Sequence, residues 1–334
     1  MRLLELQKVM KEKGIGCCLF FGQDPAVRYF SDFSAEAALV CVQAKDAWLR
    51  VSEMELARAQ KARIKPVLMK RGFFDDLPHA KVIGLNFSTV PIGASRRLRK
   101  KTKARFVDVS KIIQELRSTK TEEEISRIAK ACRVGDNVYE EILADDFDDE
   151  AELKAEIVEK IYEQGCVPSF EPIVASGWHG RLPHYEGSGK LLNGPCILDF
   201  GVRHKGYCSD MTRTAFVGAV GKKEREAYSI VRSVLEESKA MLTPNRKAAE
   251  PYLHAKQRLG KHLIHSLGHG IGLEVHEAPR LGGKSKERLK EGMTLAVEPG
   301  YYTKGFGIRL EDDVVLGMKT LTKVSLEMAK IRKA

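Results

Sequence analysis

Long apolar runs are missing from this sequence. None approaches the roughly 18 to 20 residues that a bilayer-spanning helix requires, so no membrane span is expected. The core of a signal peptide is missing too. The N-terminal stretch MRLLELQKVMKEKGIG interrupts its leucines with Glu5, Lys8, Lys11 and Glu12, which predicts an amphipathic helix and a cytoplasmic protein. No CxxC pair occurs. The 7 cysteines are odd in number and Cys17 and Cys18 are adjacent, so free buried thiols are expected rather than a disulfide framework.

Several nucleotide and metal motifs are also absent. HSLGHGIGLEVHE, residues 265–277, carries glycines at 268, 270 and 272. It is not GxGxxG and no βαβ pattern surrounds it, which removes dinucleotide binding. GGKS at 282–285 lacks the leading glycine of a P-loop, since position 278 is Ala; HEAPR is not HExxH; DDFDDE at 145–150 lacks the glycine of a calcium loop. No low-complexity segment is found.

What is present is an ordinary globular composition, 43% hydrophobic and 30% charged over 334 residues, enough for two domains. The net charge of +11 is densest in SRRLRKKTKAR, residues 95–105. Without interleaved aromatics or a base-reading motif this run predicts a solvated helix end, and a nucleic-acid partner is not expected. The apolar runs GCCLFF, ALVCVQ, AWLRV, PVLM, KVIGL and RFVDV, with helical stretches such as SEMELARAQKA between them, predict a compact α/β domain over residues 1–117. At RSTKTEEEISRIAKAC a capping box, Thr121 with Glu124, opens a helix whose inner face is Ile125, Ile128, Ala129 and Cys132. Residues 118–334 are therefore read as a second domain. Helices are expected at 121–143, 149–164 and 222–241, interleaved with strand pairs in an α+β architecture with a curved antiparallel sheet.

The chemistry lies in that second domain. ILDFGVRHKGYCSDMTRT, residues 197–214, sets Asp199 among core residues and Asp210 in a similar setting beyond an expected turn at HKG. A hairpin centred between His204 and Lys205 predicts the two aspartates directly opposite. LAVEPGYYTKGFGIRLEDDVV repeats the arrangement, with Glu298 and Glu311 mirrored about Lys304 and Gly305. Facing buried carboxylates repel and must take up protons unless cations sit between them. A pair of divalent ions about 3.5–4 Å apart, of the Mn, Co or Zn kind, meets that need. His269, flanked by glycines, has room to add an imidazole ligand; His265 and His276 leave at least one histidine for substrate or proton transfer. FEPIVASGWHGRLPHYE places His179 and His184 in a loop after a strand, His179 being expected as an exposed loop residue.

The set Asp199, Asp210, His269, Glu298 and Glu311, with EPIVASG, PHYE, GYCSDMTRT, GHGIGLEVHE, GMTLAVEPG and IRLEDD, resembles the pita-bread metallopeptidases. Those include methionine aminopeptidase, Xaa-Pro aminopeptidase, Xaa-Pro dipeptidase and creatinase; the likeness is greatest to the short prolidase-like enzymes and extends over the α/β domain. The resemblance implies two divalent ions, Mn or Co foremost, with Asp199 on one ion, Asp210 and Glu311 bridging, and His269 and Glu298 on the other. It further implies a bridging hydroxide as nucleophile, Glu298 as proton carrier, and His276 and His184 at the tetrahedral intermediate. His265 and Arg309 would line the proline side, Arg309 bracing ligand carboxylates or meeting a substrate carboxylate. Short proline-containing peptides are the implied substrates of a Xaa-Pro dipeptidase or aminopeptidase, and a homodimer the implied assembly. The rival expectations are a creatinase-like C–N hydrolase and a non-catalytic relative that binds nucleic acid or a protein partner. One stretch departs from the pattern: TPNRKAAEPYLHAKQRLGKHLIH, residues 243–265, puts Pro251 where a continuous helix is expected.

Overall fold

The computed structural model describes residues 2–69, 72–187, 189–317 and 319–334. The chain divides into two compact units, one ending at Arg117 and one beginning at Ser118.

In the first unit each of the six apolar runs is a strand. Across one sheet they lie in the order Lys65–Leu68, Ala47–Val51, Ala38–Gln43, Cys17–Phe21, Val82–Leu85 and Arg105–Asp108. The three strands Cys17–Phe21, Ala38–Gln43 and Ala47–Val51 pair antiparallel, and the outer strands join them in parallel. The N-terminal helix Arg2–Glu12 turns Leu6 and Met10 inward. Asp24 caps the helix Pro25–Ser31 by accepting from Ala26 N at 2.8 Å, with Pro25 at the first helical position where no N–H is needed. The basic run falls on the helix Ile92–Lys101, which buries Ala94 and Leu98 and leaves its Arg and Lys side chains exposed.

The second unit has its helices at Glu122–Ile142, Glu150–Glu163, Lys222–Ala240 and Ala249–Leu259. The first three fall within a residue of their expected bounds. The capping box forms as read, Thr121 N donating to Glu124 Oε2 at 2.8 Å and Glu124 N to Thr121 Oγ1 at 3.3 Å. Pro251 does not break the fourth helix, because it sits in the first turn, where backbone N–H groups have no intrahelical partner. One sheet has the order Lys330–Ile331, Met211–Val217, Gly194–Phe200, Ile173–Ser176; a second runs Glu277–Leu281, Gly268–Gly270, Thr294–Val297, Asp312–Val315, Lys319–Thr320. An antiparallel bridge between Thr212 and Glu311 links them.

Strand alternation decides which side chains meet. Leu198, Phe200, Met211 and Ala215 join a core with Val134, Val138 and Ile157 of the first two helices. Leu295, Val297, Ile308 and Leu310 join another with Val231, Leu235 and Ala255 of the last two. The residues between them, Asp199, Asp210, Thr212, Glu298, Arg309 and Glu311, are thereby turned to the other face. That is the physical answer to an aspartate amid core residues: its neighbours pack on helices while it faces away from them. All seven cysteines are free and buried. Among the described residues no helix is long and apolar enough to cross a membrane.

Candidate metal centre

The first hairpin differs in register from the sequence expectation. His204 pairs with Tyr207, leaving Lys205 and Gly206 as the turn, with φ of 47° and 89°. Positive φ at both central positions is the geometry of a tight type I′ turn. The centre therefore lies one bond further along than the HKG reading placed it, and Asp199 faces Thr212 instead of Asp210. Asp210 becomes the diagonal neighbour. Because the slip moves the partner by two residues, both carboxylates keep the same face of the sheet.

The second hairpin has the mirrored register. Gly300 pairs with Arg309 and Val297 with Asp312, and Leu310 N donates to Pro299 O, so Glu298 and Glu311 stand opposite. His269 enters on the short strand Gly268–Gly270, paired with Ala296 on one side and Arg280 on the other. Its flanking glycines are required. A Cβ at Gly268 would lie 2.0 Å from Ala296 O, and one at Gly270 would lie 2.2 Å from Ala278 O.

Three groups of potential ligand atoms converge, each with its atoms within 4.8 Å of one another: Asp199, Asp210 and Glu311; His269, Glu298 and Glu311; Asp210, His269 and His276. Thus the five residues singled out from the sequence come together, with Asp210, His269 and Glu311 each shared between two groups. His269 Nδ1 donates to Gly270 O at 3.1 Å, which leaves the Nε2 lone pair facing Asp210 Oδ2 at 3.7 Å and Glu298 Oε1 at 3.9 Å. Burial, with His276 adding to it, lowers His269 to about 4, so the ring is neutral at pH 7 as ligation demands.

The acids are held against their preference. Burial first, then the mutual repulsion of Glu311, Asp199, Asp313 and Glu298, raises Asp210 well above the carboxylate range; burial and Glu298 do the same to Glu311. Glu298 is pushed up to about 7, chiefly by burial. Asp210 Oδ1 and Glu311 Oε1 are buried with no hydrogen-bond partner. Orphaned carboxylate oxygens aimed into a cluster of acids are costly without cations, and an oxygen-rich set with one neutral imidazole suits Mn, Co or Zn. The residues present therefore fit a pair of divalent ions.

A cavity of about 490 Å³ opens over the cluster, with His184, His265, His276, Arg280 and Arg309 in its wall. Arg309 is buried and engaged: it donates to Asp199 through Nη2, to Tyr302 Oη at 2.7 Å and to Thr212 Oγ1 at 3.2 Å. Tyr302 Oη lies 3.0 Å from His265 Nε2, and His265 Nδ1 donates to Ser266 O at 2.7 Å, so the tyrosine hydroxyl donates to that ring. His276 packs edge-on against His269, centroids 4.3 Å apart. His179 is corrected: it is buried, outside the cavity wall, with Nδ1 2.9 Å from Glu150 Oε1. The partner of this ring, Glu150, is remote in sequence, which is why the loop composition misled.

Three residues at the site were not singled out from the sequence. Thr212 Oγ1 donates to Glu311 Oε2 at 2.7 Å, and Asp313 Oδ2 accepts from the backbone N of Asp210 at 2.9 Å. Both follow a cluster acid by two positions on the same strand face, so period-two counting from Asp210 and Glu311 would have found them. Arg280 carried no such signal.

Residues 126–317 match metallopeptidase family M24, and residues 2–119 match the creatinase/prolidase N-terminal domain. The Xaa-Pro dipeptidase of Pyrococcus furiosus is 33% identical over 347 residues, spanning 98% of this chain and 99% of that protein. The solved prolidase of Pyrococcus horikoshii OT3 superposes with a TM-score of 0.92 at 31% identity, covering 98% of this chain and 99% of its own. The X-Pro aminopeptidase of Thermotoga maritima gives 0.89 at 26% identity, over 95% and 98%.

Proposed function

Because this chain belongs to metallopeptidase family M24 and carries a creatinase/prolidase N-terminal domain, we propose that it hydrolyses the peptide bond preceding proline in short peptides, with two divalent ions held by Asp199, Asp210, His269, Glu298 and Glu311. The observation that carries this reading is the convergence of four acids and a neutral imidazole around two buried carboxylate oxygens without partners. The names of the relatives supply the proline preference. Bound there, the ions would supply Lewis acidity and a water made nucleophilic at neutral pH, with Mn or Co the foremost candidates and Zn the third.

The chain's own residues do the rest. Asp199, Asp210, His269, Glu298 and Glu311 would hold the ions, with Asp210 and Glu311 as the carboxylates that fall in two ligand groups. Glu298 takes the proton of the attacking water on a carboxylate oxygen and returns it to the departing proline nitrogen. His276 and His184, both on the cavity wall, donate N–H to the oxygen on which charge develops. His265, fixed by Tyr302 and Ser266, bounds the proline side.

Arg309 braces Asp199, and its donors are occupied there. Arg280 is the better candidate for a substrate carboxylate: it lines the cavity, is exposed, and forms no ion pair among the described residues. A cation on the same cavity wall as the cluster favours the dipeptidase reading over the aminopeptidase one. Free buried thiols support a cytoplasmic enzyme; the homodimer rests on the family resemblance.

The test is a peptide panel on chelator-stripped protein reloaded with Mn, Co or Zn: Xaa-Pro dipeptides, longer Xaa-Pro peptides, Met-Ala peptides and creatine. Xaa-Pro cleavage that chelator removes and Mn or Co restores is expected. Hydrolysis indifferent to chelation refutes the metal assignment, and cleavage of Met-Ala or creatine in place of Xaa-Pro refutes the substrate.

A further inference from the structure

His184 stands on the cavity wall with an exposed ring and no hydrogen bond among the described residues. Its two neighbours in the chain are both anchored. On one side the carbonyl of Pro183 lies 3.5 Å from Arg309 Nη1. On the other the ring of Tyr185 stacks on His179, centroids 4.5 Å apart and planes 16° from parallel. Trp178 closes the far edge of His179 at 4.3 Å.

His179 is in turn fixed by a carboxylate from another element. Glu150 is the first residue of the helix Glu150–Glu163, yet its side chain is 0% exposed and turns inward. It accepts from Ser176 N at 2.7 Å, Ser176 Oγ at 2.6 Å, His179 Nδ1 at 2.9 Å and Gly189 N at 3.3 Å. One buried carboxylate thus ties together the end of the strand Ile173–Ser176, the 3₁₀ turn Gly177–Arg181 and the returning chain at Gly189. The turn also lies flush on the hairpin that carries Arg309: a Cβ at Gly307 would fall 1.8 Å from Gly180 O. Among the described residues, neither Glu150 nor His179 forms a hydrogen bond with the acid cluster.

We propose that the buried Glu150–His179 pair, through the ring of Tyr185, is a positioning device for His184, holding its imidazole at the cavity wall. The inference rests on the role given to His184 above. A side chain without hydrogen bonds of its own has several rotamers open to it, and a displacement of about 1 Å at a reacting centre is enough to cost on the order of 100-fold in rate. Glu150, His179 and Tyr185 are positioning residues; they do not reach substrate.

The experiment compares His179→Ala and Tyr185→Leu in wild-type and His184→Ala backgrounds, each loaded with Mn. Tyr185→Leu removes the stack and the tyrosine hydroxyl that interacts with Glu150, but leaves the bonds of Glu150 to Ser176 and His179 in place, so it serves if His179→Ala folds poorly. Each single change should lower kcat on an Xaa-Pro dipeptide by about 10- to 100-fold with Mn affinity unchanged. In the His184→Ala background neither should lower it further. A second readout needs neither substrate nor the paramagnetic Mn: in metal-free protein carrying ¹³C-labelled histidine, the His184 signal, assigned by its loss in His184→Ala, should be single in wild type and broadened or doubled in both variants. Multiplicative losses in the His184→Ala background, or an unchanged His184 signal, overturn the proposal. Should wild type cleave no Xaa-Pro peptide, the substrate reading fails while the spectrum still decides this inference.

Discussion

Thr212→Val isolates the hydrogen bonds behind the acid cluster, because valine matches threonine in shape and removes only the hydroxyl. That hydroxyl is fully buried, donates to Glu311 Oε2 at 2.7 Å and accepts from Arg309 Nε at 3.2 Å. Glu311 Oε1 has no partner, so the substitution strips Glu311 of its one observed donor. In metal-loaded protein Glu311 is ionised, and a hydrogen bond to a charged group contributes about 1.5–3 kcal/mol, with a further ~1 kcal/mol for the guanidinium N–H left unpaired. A loss of about 3 kcal/mol follows. At roughly 2–4 °C per kcal/mol for a unit of this size, the calorimetric transition should fall by about 6–12 °C. Ligand orientation suffers as well, and loss of an outer hydrogen bond of this kind lowers metal affinity by about 10- to 100-fold. Thr212→Ser keeps the hydroxyl and should recover most of both. If Thr212→Val melts with wild type and binds Mn as tightly, the hydroxyl does not support Glu311 and the account of this site as a braced acid cluster fails.

Asp210→Asn should abolish peptidase activity with little change in the melting of the metal-free protein, because it removes a shared ligand charge; normal turnover would show that Asp210 is not a ligand. Without metal, Glu298 titrates near 7, and Asp210 and Glu311 are raised further. A raised carboxyl binds its proton more tightly in the folded state, so stability is fullest below the ordinary carboxylate pKa and declines as pH rises toward the folded value. Metal-free protein should therefore melt lower at pH 7.5 than at pH 5, while Mn addition near neutrality releases protons, read by titration calorimetry in buffers of different ionisation enthalpy; no proton release would contradict the burial argument. Arg280→Ala should raise KM for an Xaa-Pro dipeptide by about 10- to 100-fold, the scale of a charge-assisted hydrogen bond, with less effect on longer peptides. Equal losses on both would remove Arg280 from the substrate carboxylate.

The acid cluster was legible because its signal is local: Asp199 and Asp210 flank one turn, Glu298 and Glu311 another, and alternation carries them to one face. The error in the first hairpin came from the turn, where Lys205 adopts a positive φ that favours glycine and so moves the centre to Lys205 and Gly206. It did no harm to the site, since the slip preserved the face. Helix bounds were readable from caps and periodicity, and Pro251 from its place in a first turn. What stayed hidden depends on contacts between segments far apart in the chain. Nothing near Glu150 announces His179, and nothing in HEAPR says that its arginine reaches the cavity.

The flush contact of Gly180 with Gly307 limits how this enzyme can be re-engineered. Directed evolution toward new peptides should leave the Gly307 codon fixed, since any side chain there wedges the two backbones apart and disables the variant before its selectivity can be screened, whereas a Cβ at Gly180 would meet its nearest atom only at 3.3 Å. Diversity belongs at Phe170, Ile173 and Val275, where the rim has side chains to exchange.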